Sequence, residues 1–153
     1  MGSHSAGVHW SRGEAVFTDQ RYSRAHEWRF DGGLRVPAAA SPHVVPPECT
    51  DAAAVDPEEA LVAAAASCHM LWFLSLAARR GFVVDDYADD AAGTLARDER
   101  GRQAITRIVL RPRVRFAPDR APDATALARL HHDAHEACYI ANSLRSEIAV
   151  EPA

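Results

Sequence analysis

Apolar positions along this chain fall into short alternating stretches, one long and nearly unbroken run, and one helical stripe. Residues 8–18 alternate roughly, with Val8 and Trp10 and then Ala15 and Phe17, which predicts a strand. Residues 25–29 and 34–36 flank Asp31-Gly32-Gly33, a hairpin signal, so the N-terminal part reads as a small antiparallel meander. Residues 38–55 follow Pro37 and hold Pro42, Pro46 and Pro47; they read as an irregular loop long enough to cover a site.

The long run is residues 56–81, DPEEALVAAAASCHMLWFLSLAARRG. Asp56 can serve as N-cap, Pro57 suits the first helical position, and Glu59 completes a capping box. Arg79 and Arg80 fall where the last carbonyls favour positive charge, and Gly81 can take the left-handed stop. The predicted helix is about 36 Å long. It is the spine around which the rest is arranged.

Beyond it, residues 82–88 predict a strand, and residues 92–97 and 104–110 predict a hairpin across DERGRQ. Arg111, Arg113 and Arg115 alternate with Pro112, Val114 and Phe116, the pattern of a strand with one wet face. Asp123 opens a second helix through ATALARLHHDAHEACYIANSL, with Ala126, Leu127, Leu130, Ala134, Ala137 and Tyr139 on its apolar side. Residues 147–150 form a last short strand. The order predicts an α+β protein without internal repeats.

Composition narrows this. At 153 residues the chain reads as one domain, residues 1–153, with residues 1–7 a flexible lead and in part a cloning scar. A net charge of −4, with every basic residue an arginine, makes no electrostatic case for nucleic acid. The odd count of three cysteines, without a secretory signal, predicts a reducing, cytoplasmic setting. The long helix approaches membrane-span length, but it is Ala-rich and carries His69 centrally. A buried core or dimer helix is therefore expected, not a membrane partner.

Cys68 and Cys138 sit on the two predicted helices, and Cys49 in the Pro-rich loop is expected to face solvent. A buried cysteine alone packs as a small hydrophobe, whereas a pair raises a redox reading, with one thiolate attacking and one thiol resolving. Such a thiolate needs a nearby cation, and 70 intervening positions do not identify it. His131, His135 and Cys138 fall at i, i+4 and i+7, usable for a transition metal, although no second ligand cluster accompanies them. His69 points about 100° away from Cys68 and reads as core or interface.

PEEALVAAAASC, Pro57 to Cys68, resembles the motif of the OsmC/Ohr family, the osmotically inducible and organic hydroperoxide resistance proteins, with Asp56 where the family has Asn. AHEACYIANSL, Ala134 to Leu144, is similar to the segment carrying the family's second cysteine, and Arg24 in RYSRAHEWRFDGG to its arginine before the hairpin. The resemblance implies an antiparallel sheet wrapped around long central helices in an intertwined homodimer. It also implies a thiol peroxidase. Cys68 attacks a hydroperoxide, Cys138 resolves the sulfenic acid as a disulfide, and an external dithiol, dihydrolipoamide or a lipoylated protein, resets the pair. No bound cofactor is implied.

Within that resemblance Arg24 stabilises the thiolate and Glu58 orients Arg24. Phe73, Trp72 and Met70 form an apolar rim that favours organic peroxides. Tyr139 follows Cys138 where the family often has proline. Glu58 and Cys68 are ten positions apart, about 15 Å along one helix and roughly 80° around it, a gap no glutamate spans. Either the helix begins later than its capping pattern suggests, or a Glu58 serving Cys68 comes from a partner chain. The alternatives are a non-catalytic stress-response or ligand-binding member of the same fold, or a metal protein using His131, His135 and Cys138.

Overall fold

The computed structural model describes residues 2–152, and the chain divides into two compact units, residues 1–60 and 61–153. In the first, β1 (Ala6–His9), β2 (His26–Phe30) and β3 (Arg35–Ala38) form an antiparallel meander in the order β1-β2-β3. Gly33, at φ 86°, makes the turn between β2 and β3 that its flanking residues predict. The strand expected over residues 8–18 is shorter and earlier: β1 takes in Ala6 and Gly7, ends at His9, and is followed by a loop with a 3-10 turn at Phe17–Asp19. Trp10, Phe17 and Tyr22 draw that loop together, with Phe17 and Tyr22 stacked at 4.6 Å and Trp10 edge-on to Tyr22 at 5.4 Å. Aromatic clustering won over alternation there.

The helix α1 (Pro57–Arg79) starts with the predicted capping box. The Asp56 carboxylate accepts from the Glu59 N–H at 2.7 Å, and the Glu59 carboxylate accepts from the Asp56 N–H at 3.2 Å. It ends in a Schellman motif, with Gly81 at φ 80°, the Gly81 N–H on the Ala78 carbonyl and the Phe82 N–H on that of Ala77. Along its length only Ala65, His69, Phe73 and Ala77 are buried, one line of every fourth residue. The helix is long and apolar enough to cross a membrane by length and composition, yet 22% of its most apolar window is buried. The apolar run thus exceeds what the chain's own core covers.

In the second unit β4 (Val84–Asp89) pairs antiparallel with β7 (Pro112–Phe116). β5 (Ala92–Arg97) pairs antiparallel with β6 (Gln103–Leu110), and β8 (Glu147–Val150) joins β6 in parallel. Two apolar clusters hang on α1. Phe73 and Ala77 meet Leu130 and Ala134 of α2 (Ala124–Ala137), with Tyr87, Val114 and Phe116 from the first ladder. Ala65 meets Ile108 and Leu110 of β6. Gly93 on β5 lies so near α1 that a Cβ there would stand 2.6 Å from a methyl of Val62. The alternating arginines of β7 behave as their pattern predicts: Arg113 pairs with Asp90 at 2.7 Å and Arg115 with Asp85 at 2.9 Å, both facing water.

Candidate active site

The second helix does not run unbroken through Leu144 as its stripe predicts. Cys138 leaves α2 with ψ 112° and caps α3 (Tyr139–Ser143), its sulfur accepting the Ala141 N–H at 3.4 Å. Sulfur takes the role usually played by a hydroxyl or carboxylate oxygen at a helix start. The break turns a helical position into a joint and fixes the thiol there, fully buried.

Facing it from the middle of α1 is Cys68, half-buried, its sulfur a close neighbour of the Cys138 thiol. Burial pushes the Cys138 thiol above its ordinary range and the adjacent Cys68 sulfur pushes it further, while the Ala141 N–H pulls the other way. Cys138 therefore keeps its proton at neutral pH. Two positions 70 residues apart in sequence become neighbours.

A groove of about 450 Å³ opens over Cys68, lined by Leu71, Trp72, Tyr139 and Ile140 among others. Trp72 and Tyr139 meet edge to face at 5.5 Å. Tyr139 occupies the first position of α3, where a proline would also fit, and its ring is part of the wall. The expected rim is corrected: Trp72 lines the groove, but Phe73 is fully buried in the core and Met70 is not part of the lining. What the expectation missed was a readable stripe. Ala64, Cys68, Leu71, Ser75 and Arg79 recur at helical spacing on one side of α1.

Arg24 lies in the first unit, its guanidinium donating to the carbonyls of Gln20 at 2.7 Å and Tyr22 at 2.6 Å and resting 4.0 Å over the Tyr22 ring. It borders an apolar hollow with Val8, Trp10, Phe17 and His26. Its backbone N–H donates to the Cys49 carbonyl at 2.8 Å. Cys49 itself is fully buried, against the expectation of a solvent-facing thiol, because Pro46 and Pro47 fold the loop into a 3-10 turn that turns its side chain inward. Among the described residues Glu58 makes no ion pair or side-chain hydrogen bond within the chain, and Arg24 has no carboxylate partner. Because α1 is continuous from Pro57, the separation of Glu58 from Cys68 along the axis stands.

Among the described residues no group of three or more His, Cys, Asp or Glu side chains is arranged to hold a metal ion. The helical spacing of His131, His135 and Cys138 does not become a site. His131 turns into the core toward α1, and the Cys138 sulfur is taken up by Ala141 and Cys68.

Two neighbouring thiols, carried on separate helices among mainly antiparallel ladders, define a paired-cysteine α+β protein. The chain belongs to the OsmC-like protein family, whose model matches residues 50–153. An OsmC-like protein of unknown function from Vibrio cholerae is 49% identical over 100% of both chains, with a TM-score of 0.98. The fold also matches organic hydroperoxide resistance proteins of low identity. That of Legionella pneumophila has a TM-score of 0.69 at 16% identity, covering 99% of this chain and 96% of its own. OhrB of Bacillus subtilis has a TM-score of 0.68 at 19% identity, covering 99% and 98%. No curated protein matches.

Proposed function

We propose that the protein is a thiol peroxidase that reduces organic hydroperoxides. The observation that carries this reading is the Cys68–Cys138 thiol pair beneath an apolar groove. The Cys68 thiolate attacks the outer oxygen of ROOH; the O–O bond breaks, the sulfur is oxidised to the sulfenic acid, and the leaving alkoxide takes a proton to become ROH. The protonated Cys138 thiol then condenses with the sulfenic acid, forming the S–S bond and releasing water. An external dithiol, dihydrolipoamide or a lipoylated protein, reduces that disulfide. The groove's Leu71, Trp72 and Ile140 offer the R group an apolar wall that hydrogen peroxide cannot use.

The working protein is proposed to be an intertwined homodimer in the cytoplasm. Support comes from the apolar length of α1 left exposed, Leu71 at 62% among it, and, among the described residues, from Arg24 having no carboxylate partner and Glu58 no ion pair or side-chain hydrogen bond. In this assembly Glu58 orients Arg24, and Arg24 stabilises the Cys68 thiolate and the departing oxygen.

The test is peroxide consumption with dithiothreitol or dihydrolipoamide, comparing cumene and tert-butyl hydroperoxides with hydrogen peroxide. Cys68→Ser should abolish turnover, and peptide mapping after one equivalent of cumene hydroperoxide should find a Cys68–Cys138 disulfide. Parental activity in Cys68→Ser would refute the assignment.

A further inference from the structure

Contact between α1 and α2 is made largely by Phe73 and Ala77 against Leu130 and Ala134, all fully buried. Apolar packing of this kind is non-directional. One buried contact is directional. His69 Nε2 and His131 Nδ1 stand 3.2 Å apart, the two rings parallel to within 3° and 1% and 5% exposed. Arg80 and Asp133 also pair across the two helices, partly exposed near the end of α1.

The two imidazoles sit beside the two thiols in sequence and on the helix. His69 directly follows Cys68. His131 precedes Cys138 by seven residues, two helical turns, on the buried stripe Leu130, His131, Ala134, Cys138. A hydrogen bond that fixes where His131 lies on α1 also fixes where the joint at Cys138 lies relative to Cys68.

We propose that the His69–His131 hydrogen bond is a positioning device that sets the register of α2 on α1 so that the Cys138 thiol stands against Cys68. The proposal rests on reading these two cysteines as the redox pair. The bond requires one N–H and one bare nitrogen, and the surroundings choose which. His69 Nδ1 is buried without a partner. An orphaned lone pair is better tolerated in a protein interior than an orphaned N–H. His69 is therefore the Nε2–H tautomer and donates, and His131 accepts at Nδ1. Burial favours the uncharged form of both rings, which leaves His131 Nδ1 free to accept.

A stabilising role and a positioning role predict different results. Replacing a buried polar pair with apolar groups of similar size is often neutral or favourable for stability. The double variant His69→Leu/His131→Leu should therefore melt near the parental temperature and still misplace the thiols, whereas His131→Leu alone leaves the His69 N–H unpaired and is less stable. His131→Asn, whose side-chain oxygen can stand near the position of Nδ1, should restore the bond. The experiment reads thiol geometry without peroxide, by bridging Cys68 and Cys138 of the reduced protein with dibromobimane and mapping the peptides. It also reads the rate of disulfide formation after one equivalent of cumene hydroperoxide.

His131→Leu should slow both readouts by about tenfold, equivalent to about 1.4 kcal/mol, while sulfenic acid forms at the parental rate. His131→Asn should recover most of the loss. Parental bridging in His131→Leu overturns the proposal, as does an Asn variant as impaired as the Leu variant. In the unmodified protein, ¹⁵N NMR showing the proton of His69 on Nδ1 overturns it without any substitution. If bridging follows the prediction and no variant reacts with peroxide, the peroxidase reading fails and the positioning role stands.

Discussion

His69 and His131 make acid pH a specific stress on this protein. Burial holds both imidazoles down to about 4, and the charges of His131 and His135 add to the effect on His69. In the unfolded chain each takes up a proton near its ordinary value of about 6.5. Folding therefore binds fewer protons than unfolding between those limits. The contribution of the pair to stability is complete above pH 6.5, declines as pH falls toward 4, and becomes constant below that, where both states are charged. Urea denaturation of the parent at pH 7 and pH 5 should show a larger loss than His131→Leu, by at most about 1.4 kcal/mol per pH unit for the one imidazole the variant lacks. An equal loss in both proteins would mean that His131 is not what titrates. Cys138 shows the same physics with the opposite sign of charge: burial favours the uncharged thiol.

Between α1 and β5 the determining contact is a missing side chain. Gly93 lets the strand come so close to the helix that a Cβ would lie 2.6 Å from Val62. Valine is stiff at χ1 and cannot swing aside cheaply. Gly93→Ala should therefore destabilise the protein by about 1–3 kcal/mol through overpacking, seen as a lower denaturation midpoint with an unchanged m-value. Combining it with Val62→Ala should recover much of that loss, since the second change removes the obstructing methyl. The strand edge and the helix were both legible in the pattern; the tolerance between them was not.

For the whole molecule, the governing feature is the uncovered apolar side of α1. α1 buries one line of four residues and leaves apolar side chains such as Leu71 in water, an arrangement that a second copy would relieve. Sedimentation velocity across a dilution series should show a dimer, and peroxidase activity per mole should fall in step with its dissociation. A monomer that keeps full activity at high dilution excludes a shared site and, with it, the roles given to Arg24 and Glu58 across the subunit boundary.

Local chemistry alone was sufficient for much of this. The capping box at Asp56 and Glu59, the Gly81 stop, the Gly33 turn, the strand Ala92–Arg97 and the wet face of Arg113 and Arg115 all follow from interactions among residues a few positions apart. The family motif around Cys68 was legible for the same reason, being contiguous on one helix. Three features were not legible. The break at Cys138 depends on a sulfur finding the Ala141 N–H in place of the next helical turn. The inward turn of Cys49 depends on how its prolines fold the loop. The meeting of His69 with His131 joins positions 62 residues apart, and that of Cys68 with Cys138 was implied by the family resemblance alone and by no pattern within the chain. Periodicity reports which side of a helix is apolar; it carries no information about which residue of another helix will lie against it, because that is set by packing of the whole core.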